Sequence, residues 1–429
     1  MQNTCGHTFT ETENMRLPKR WRQSLIFAAT LIALYLCAGL IYGQKSSQRN
    51  LLWNNVASAV NRAHQESPNE RNFTNANVIR ETGTDSIHLA LSVSKGTKIE
   101  PFYTLLKNIL YYRGRFSFNR SECQIKIQTI RNDLCPITEF PSNDSLCLHL
   151  LVSNRIREII SATFDTWKPE DVQIIFYDSE DFEKPDEEEI NNDRGEEVKM
   201  TNLLWPEIIQ SSVTKVIVLD TDMLLNQNIA NLWEMFTHFG RNQFIGGVFE
   251  QTTYLKRLME DHDFRTLNTG INTGMLLLDL EKMRAVKWSK LWRKAAKEMS
   301  TQWNKLIFGD QIIFNYIIYN NPAYFHEISC EWNYVTFGHP NQADCPIVWM
   351  IQHAHKQYCS LSDWYRFKGL LLARLVHHVS DESPYPEVFS PVTSVRPFTV
   401  KEMKQTFQEV YSAFQRLNYR CFTREVSEL

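Results

Sequence analysis

Short apolar runs alternate with stretches of helical periodicity along the chain, and this alternation most constrains its fold. Runs such as Ile87–Val93, Leu146–Val152 and Val216–Leu219 have the length and composition of buried strands, and the helical stretch Arg155–Trp167 follows the second of them. A strand, a helix and another strand in succession usually form a parallel pair, because the helix carries the chain back across the sheet. The sequence therefore predicts an α/β fold, with a Rossmann-like, mostly parallel sheet and flanking helices.

Two carboxylates one residue apart, Asp220 and Asp222, follow the run Val216–Leu219 directly. Open α/β sheets bind ligands at the carboxyl ends of their strands, and hard divalent cations prefer oxygen ligands. Carboxylates buried beside an apolar strand would be costly without a cation or hydrogen-bond donors. The pair therefore indicates a site for Mn²⁺ or Mg²⁺, although an exposed turn with solvated aspartates is the plainer interpretation of these two residues alone.

The segment Ser24–Tyr42 is uncharged and mostly apolar. At about 1.5 Å per residue it is long enough for a bilayer core of roughly 30 Å. Basic residues are concentrated before it, at Arg16, Lys19, Arg20 and Arg22, whereas only Lys45 and Arg49 follow closely. This bias predicts a transmembrane signal anchor over residues 24–42, with the tail 1–23 in the cytoplasm and the rest of the chain in the lumen. A cleaved signal peptide is the alternative, but its apolar region usually has only about 7–15 residues.

The remaining organisation agrees with a luminal location. A polar stem is predicted over residues 43–85, a globular domain over 86–372 and a C-terminal extension with a helix over 373–429. Three glycosylation sequons begin at Asn72, Asn119 and Asn143. Seven cysteines lie in the same part of the chain, so disulfides are expected and at least one thiol is left over. No C-x-x-C pair or Cys/His spacing suggests zinc. The net charge of −3 offers no basic surface for nucleic acid.

Four further segments follow the carboxylate pair in the chain. They are the Gly-rich Thr269–Met275, expected to be a turn entering a strand; Gly309–Gln311, which opens a helix; Cys330–Tyr334, with adjacent Trp and Asn; and Val348–His353, an apolar run ending in histidine. Glycines allow the backbone to approach a ligand closely, and a helix N-terminus favours negative charge. Gly309–Gln311 therefore places a carboxylate and an amide beside a positive helix terminus.

Together these segments resemble glycosyltransferase family 8, a retaining family with a GT-A fold that uses nucleotide sugars and Mn²⁺. The resemblance covers roughly Ser86 to Leu372. The stretches Val216–Asp222 and Asn272–Gly274 are most similar to the xylosyltransferase domain of LARGE proteins, whereas Gly309–Gln311 and Cys330–Tyr334 also resemble glucoside xylosyltransferases, which act on O-glucosylated EGF repeats. The resemblance implies transfer of a sugar, with xylose as the expected one, from a UDP-sugar to a glycan acceptor.

The resemblance also implies roles for single residues. The metal ligands are expected to be Asp220, Asp222 and His353. The residues expected to hold the transferred sugar are Asn272, Asp310 and Gln311, and those expected to bind the nucleotide part are Ala90, Val93, Lys199 and Lys356. In one departure from the family pattern, Lys356 and Cys359 stand where a glycine and a lysine usually follow the metal-binding histidine.

These roles imply a Golgi single-pass type II membrane protein that binds a UDP-sugar and a glycan or glycoprotein acceptor and does not bind nucleic acid. A homodimer is compatible with this organisation. No carboxylate nucleophile is evident, and Gln311 is a weak nucleophile, so front-face transfer with retention is the expected chemistry. A disulfide between Cys330 and Cys345 is predicted. Because the residues after His353 depart from the family, a catalytically inactive Golgi UDP-sugar-binding protein is the alternative from another class.

Overall fold

The computed structural model describes residues 86–93, 99–117, 122–123, 125, 144–169, 171–179, 200–302, 309–336, 344–349, 370–378 and 396–422. The predicted tail, anchor and stem lie outside these ranges, and so do Lys199, His353 and Lys356. Within the described ranges, the helices are all too short or too polar to cross a membrane.

The strands and helices of the described ranges are numbered in chain order. The strands are β1 (Ser86–Val93), β2 (Ser145–Val152), β3 (Val172–Asp178), β4 (Lys215–Leu219), β5 (Met223–Leu225), β6 (Ile245–Phe249), β7 (Ile271–Asp279), β8 (Phe325–Glu327), β9 (Tyr334–Val335), β10 (Ile347–Val348), β11 (Leu371–Leu372) and β12 (Leu375–His377). The helices are α1 (Ile99–Tyr112), α2 (Asn154–Trp167), α3 (Thr201–Ile208), α4 (Ala230–Trp233), α5 (Tyr254–Glu260), α6 (Leu280–Ala285), α7 (Trp288–Gln302), α8 (Asp310–Asn320) and α9 (Val400–Arg416).

A seven-stranded sheet in the order β3-β2-β1-β4-β7-β6-β8 forms the centre of the fold. The strands β1 to β4 pair in parallel, and so do β6 and β8, whereas β7 is antiparallel to both β4 and β6. The predicted α/β class and mostly parallel sheet are therefore confirmed. Because β7 runs the opposite way, its first residues lie at the edge where β4 and β6 end.

Helices cover both faces of this sheet, because alternate side chains along a strand point to opposite faces. Ile217 and Leu219 of β4 belong to the core cluster that includes apolar residues of α1, α2 and α9. Val216 and Val218 belong to the other cluster, formed with α3, α6, α7 and α8. The central strands are therefore buried on both sides, which explains why their sequences are continuous apolar runs.

The Gly-rich segment 269–275 is less of a turn than the sequence predicts. The turn closes at Gly270, whose N–H donates to Leu267 O over 2.9 Å, and β7 already begins at Ile271. Gly270 has a φ of +84°, and a Cβ there would lie 2.7 Å from Leu255 Cδ2. Asn272 therefore lies in a strand that pairs with β6, since it is in register with Val248.

Two disulfides and a capping box support the C-terminal part of the described chain. Cys330 and Cys345 are bonded, as predicted. Cys123 bonds to Cys421 across a sequence separation of 298 residues. A capping box begins α9, because the Thr399 hydroxyl accepts from Glu402 N and the Glu402 carboxylate accepts from Thr399 N.

Candidate functional site

A small second sheet brings a histidine to the aspartate pair. Strand β5 begins directly after Asp222, and it pairs antiparallel with β12 so that His377 lies opposite Met223. His377 Nε2 lies 3.2 Å from Asp222 Oδ1 and 3.8 Å from Asp220 Oδ2. Among the described residues, His377 is therefore the imidazole nearest the aspartates. The sequence did not predict it, and the predicted ligand His353 lies outside the described residues.

Gly274 of β7 makes room for the His377 ring. The backbone N–H of Asp220 donates to Gly274 O over 2.8 Å, so the aspartate loop lies close against this part of β7. A Cβ on residue 274 would lie 2.4 Å from Cε1 and 2.7 Å from Nδ1 of His377. These separations are far below van der Waals contact, so the position of the ring depends on a glycine here.

Asp220, Asp222 and His377 have the chemistry of a divalent-cation site. Their ligand atoms all lie within 4.8 Å of one another. The aspartate side chains are 42% and 46% exposed, whereas the imidazole is 4% exposed. Burial lowers the pKa of His377, but Asp222, Asp220 and Glu250 outweigh this effect and raise the pKa above its usual value. Two carboxylate oxygens and one imidazole nitrogen, open to solvent on the carboxylate side, fit Mn²⁺ or a similar cation.

Next to this group, Glu250 links the side chains of Asn272 and Gln311. Glu250 Oε1 accepts from Asn272 Nδ2 over 3.0 Å and from Gln311 Nε2 over 3.3 Å. Burial raises the pKa of Glu250, and the bonds from the two amides and the charge of His377 offset this only in part. Asn272 is fixed further, because its Oδ1 accepts from Gly274 N and from Asn333 Nδ2. The three polar side chains therefore hold one another in a defined arrangement.

The start of α8 docks Asp310 and Gln311 against β7 and α3. Gly309 precedes the helix with a φ of +50°, a conformation that favours glycine. Asp310 Oδ2 accepts from Asn202 N over 3.2 Å, and its Oδ1 accepts from the Thr273 hydroxyl over 3.4 Å. Thr273 N donates to Gln311 Oε1 over 3.4 Å. Asp310 is therefore tied into the protein, and Gln311 reaches Glu250.

The structure thus connects Asp220, Asp222, Asn272, Asp310 and Gln311, which the sequence predicts as site residues. Ala90 and Val93 lie in β1 with no exposed surface, and residues 94–98 after them are not described. Sequence reasoning missed Glu250, although it follows the apolar strand β6 just as Asp220 follows β4. It also missed His377, for which the sequence has no local signal, because β12 is only three residues long.

A family comparison identifies the segment that carries this site. Residues 151–353 match the model of glycosyl transferase family 8. This segment, a little under half of the chain, is similar to that family. The matched segment includes Asp220, Asp222, Asn272, Asp310 and Gln311, whereas His377 lies beyond its end.

Curated relatives of this chain are named as xylosyl- and glucuronyltransferases. The chain is 32% identical over 208 residues to xylosyl- and glucuronyltransferase LARGE2s of Danio rerio, a match that covers 48% of this chain and 28% of that protein. It is 29% identical over 264 residues to LARGE2 of Mus musculus, which covers 61% of this chain and 34% of the relative. LARGE1 of Homo sapiens is 30% identical over 208 residues, 48% of this chain and 28% of that protein. The chain thus spans about a third of the length of these relatives.

Solved structures similar to this fold are also glycosyltransferases by name. The apo form of mouse xyloside xylosyltransferase 1 has a TM-score of 0.44 and 17% identity, and the match covers 70% of this chain and 100% of that one. A complex of the galactosyltransferase LgtC with donor and acceptor sugar analogues has a TM-score of 0.44 and 14% identity, covering 69% and 88% of the two chains.

Proposed function

We propose that this protein is a retaining glycosyltransferase, dependent on a divalent cation such as Mn²⁺, that transfers xylose from UDP-xylose to a glycan acceptor. The observation that carries the proposal is the group Asp220, Asp222 and His377, at the edge of the sheet where β4 ends. Both aspartates lie inside the segment that matches the family 8 model. The choice of xylose is supported by the names of the relatives, which are xylosyl- and glucuronyltransferases.

The two aspartates and His377 would hold the cation, and the half-exposed aspartate side chains would leave it accessible to the donor. A divalent cation bound there supplies charge neutralisation to the departing diphosphate. Lys199 and Lys356 are proposed to bind the same diphosphate, and Ala90–Val93 to line the nucleoside site. In this assignment His377 takes the role that the sequence gives to His353.

Asn272, Asp310 and Gln311 are proposed to bind the sugar that is transferred. Asn272 and Gln311 both donate to Glu250 Oε1, so their amides have fixed positions before a donor binds. Fixed donors and acceptors lower the cost of orienting the reacting sugar. Glu250 therefore joins the site as a positioning residue that aligns the two amides.

Front-face transfer remains the mechanism that we propose. Glu250 is the carboxylate nearest these amides, but its Oε1 accepts two hydrogen bonds and burial raises its pKa. Both effects weaken it as a nucleophile. The acceptor hydroxyl oxygen attacks the anomeric carbon on the face that UDP leaves, the bond from that carbon to the phosphate oxygen breaks, and the hydroxyl proton passes to the departing diphosphate. The new linkage thereby keeps the configuration of the donor.

The acceptor and the cellular setting belong to the same proposal. The relatives and the predicted anchor favour a Golgi type II membrane protein that acts on glycans or glycoproteins in the lumen. A homodimer is compatible with this arrangement. An acceptor carrying O-linked glucose would make it a glucoside xylosyltransferase, which is the second candidate within the same reaction class.

The test measures UDP release by the purified protein with Mn²⁺ and each of UDP-xylose, UDP-glucose, UDP-galactose and UDP-glucuronate. We expect release from UDP-xylose that stops when the cation is chelated and that is lost in Asp222→Asn. Release from a different donor only would overturn the assignment of xylose and leave the family intact. UDP binding in calorimetry without release, with glycan and O-glucosylated acceptors present, would instead identify a sugar-nucleotide-binding protein.

A further inference from the structure

Two histidines and a cysteine lie close together in the described part of the sheet, away from Asp220 and Asp222. His88 is on β1, and Cys147 and His149 are on β2, with one ligand atom from each within 4.8 Å of the other two. His88 Nδ1 lies 3.0 Å from His149 Nε2, and Cys147 Sγ lies 3.7 Å from the same nitrogen. Cys147 is reduced and buried.

The strand register explains why these side chains meet. Strands β1 and β2 are parallel neighbours, with His88 opposite Cys147 and Ala90 opposite His149. Residues two apart on a strand share a face, so Cys147 and His149 both point to the same side as His88. The backbone of two central strands therefore fixes all three side chains, which is a rigid scaffold for a ligand site.

We propose that His88, Cys147 and His149 form a binding site for a first-row metal ion that favours thiolate ligands, such as Zn²⁺. Thiolate and imidazole are the ligands that zinc prefers, and three protein ligands leave a fourth position for water.

The distances are close to those of a tetrahedral zinc site. With Zn–N of about 2.0–2.1 Å and Zn–S of about 2.3 Å, two ligand nitrogens are roughly 3.4 Å apart and a nitrogen and a sulfur roughly 3.6 Å apart. The observed separations are 3.0 Å between the two histidine nitrogens and 3.7 Å between His149 Nε2 and Cys147 Sγ. These two separations lie within a few tenths of an ångström of the tetrahedral values, and the ligand atoms of His88 and Cys147 lie within 4.8 Å of each other.

Hydrogen bonding alone does not account for this convergence. A ring nitrogen makes one in-plane hydrogen bond, yet His149 Nε2 faces both His88 Nδ1 and Cys147 Sγ. A single proton cannot satisfy both neighbours in good geometry. A metal ion at the centre uses one lone pair from each of the three atoms.

The surroundings of the cluster also favour a metal. The other nitrogen of His149, Nδ1, lies 2.9 Å from the Tyr177 hydroxyl, and such a partner fixes the tautomer that leaves Nε2 free to bind. Burial lowers the pKa of His88 to about 4 and of His149 to about 3, so both rings are neutral, as ligands must be. Burial raises the pKa of the Cys147 thiol to about 12, so metal binding releases the thiol proton to solvent.

The cluster is distinct from the group Asp220, Asp222 and His377, although Ala90, opposite His149, is proposed to line the nucleoside site. Leu89 of β1 is in register with Ile217 of β4, so His88 is level with Val216, four residues before Asp220. At roughly 3.3 Å per residue the two sites are about 13 Å apart along the strands. His88 is only half buried, beside the Trp233 ring, and offers the side from which an ion would enter. A resident ion here would clamp β1 to β2 and would not touch the donor sugar.

The test replaces zinc with cobalt in the purified protein, because a thiolate bound to Co²⁺ gives a charge-transfer absorption that carboxylate and imidazole ligands do not give. We expect this absorption in the wild-type protein and in Asp222→Asn, and its loss in Cys147→Ser. Zinc binding, measured by competition with a chelating dye, should weaken roughly 10–100-fold in Tyr177→Phe, since second-shell partners have effects of that size.

Other outcomes would overturn the proposal. Folded wild-type protein that shows no thiolate absorption at saturating Co²⁺ would exclude the site. An absorption that survives in folded Cys147→Ser would assign it to a different cysteine. If Cys147→Ser does not fold, His88→Gln at the half-buried end replaces it, and full retention of zinc affinity in that variant would equally contradict the assignment.

Discussion

The group Asp220, Asp222 and His377 and the group His88, Cys147 and His149 use the same sheet but differ in ligand chemistry and in exposure. The first, called the open group below, has two oxygen ligands from half-exposed side chains at the sheet edge. The second, called the buried group below, has a thiol and two imidazoles within the sheet, where Cys147 is 1% and His149 0% exposed. Hard ligands facing solvent suit a cation that arrives and leaves with a nucleotide, whereas soft buried ligands suit a resident ion.

The pKa values of the histidines also differ between the two groups. The carboxylates around His377 raise its pKa despite burial. Burial lowers the pKa of His88 and His149, and no carboxylate is among the groups that shift these two pKa values, so the effect of burial is not offset. Neighbouring charge, more than depth of burial, therefore decides whether the pKa of an imidazole in this fold lies above or below its usual value.

The largest expected effect separates the two groups by activity. Asp222→Asn removes one charge from the open group, and we expect sugar transfer to fall about a hundredfold or more while thermal unfolding changes little, because the side chain is half exposed. Initial rates of UDP release measure this effect. Asp261→Asn, at an exposed position after α5, is the matched control and should retain full activity. Equal rates in the Asp222 variant and the wild type would remove the open group from the reaction.

Replacement of Glu250 tests what the open site uses besides the cation. Glu250→Ala leaves the amides of Asn272 and Gln311 without their shared acceptor, and we expect kcat to fall about tenfold to a hundredfold. Glu250→Gln keeps an acceptor oxygen there and should lie within about tenfold of the wild type. Glu260→Gln, exposed at the end of α5, is the control. A Gln variant as inactive as the Ala variant, with a trapped glycosyl-enzyme in mass spectrometry of the wild type, would replace front-face transfer by a double displacement through Glu250.

Much of the frame that carries both groups is predictable from local patterns. Apolar runs of strand length between amphipathic stretches predict the mixed α/β class, and Asp220 and Asp222 follow from the end of one such run. Glu250 was also within reach of the same reasoning, because it follows the strand β6 at the same sheet edge. The local signal for Glu250, a carboxylate directly after an apolar strand, is therefore present in the sequence, as it is for Asp220.

Other parts of both sites depend on contacts that no local pattern encodes. His377 reaches Asp222 because a three-residue strand pairs with β5, about 150 positions earlier in the chain. The second group depends on the register that sets His88 opposite Cys147. Pairing between distant strands is decided by packing of the whole sheet, so neither Cys-x-His on β2 nor a single histidine on β1 indicates a metal site by itself.

The third prediction concerns the glycine that gives the open group its geometry. Gly274→Ala places a Cβ against the His377 ring, and overpacking of this kind costs about 2 kcal/mol, or roughly thirtyfold in Mn²⁺ affinity if the ring is displaced. Calorimetric titration with Mn²⁺ and UDP measures the loss. Gly247→Ala on β6 is the matched control, because the atoms nearest to its Cβ would be at 3.6 Å. Unchanged Mn²⁺ affinity in the Gly274 variant would show that His377 is not a ligand.

The smallest expected effect is a difference in pH dependence between the two groups. The pKa of His377 is raised, so protons begin to compete with Mn²⁺ at a pH above the usual histidine value of 6.5. The Mn²⁺ affinity of the open group should therefore be constant at alkaline pH and fall as the pH is lowered through the pKa of His377.

At the buried group the imidazoles stay neutral down to about pH 4, and the competing proton is that of Cys147, whose pKa is about 12. Zinc affinity there should therefore change about tenfold per pH unit across the whole neutral range, since each ion displaces one thiol proton. Titrations of Mn²⁺ and Zn²⁺ at several pH values between neutral and alkaline conditions distinguish the two forms, and a steep alkaline dependence for Mn²⁺ would contradict the assignment of His377 as the titrating ligand.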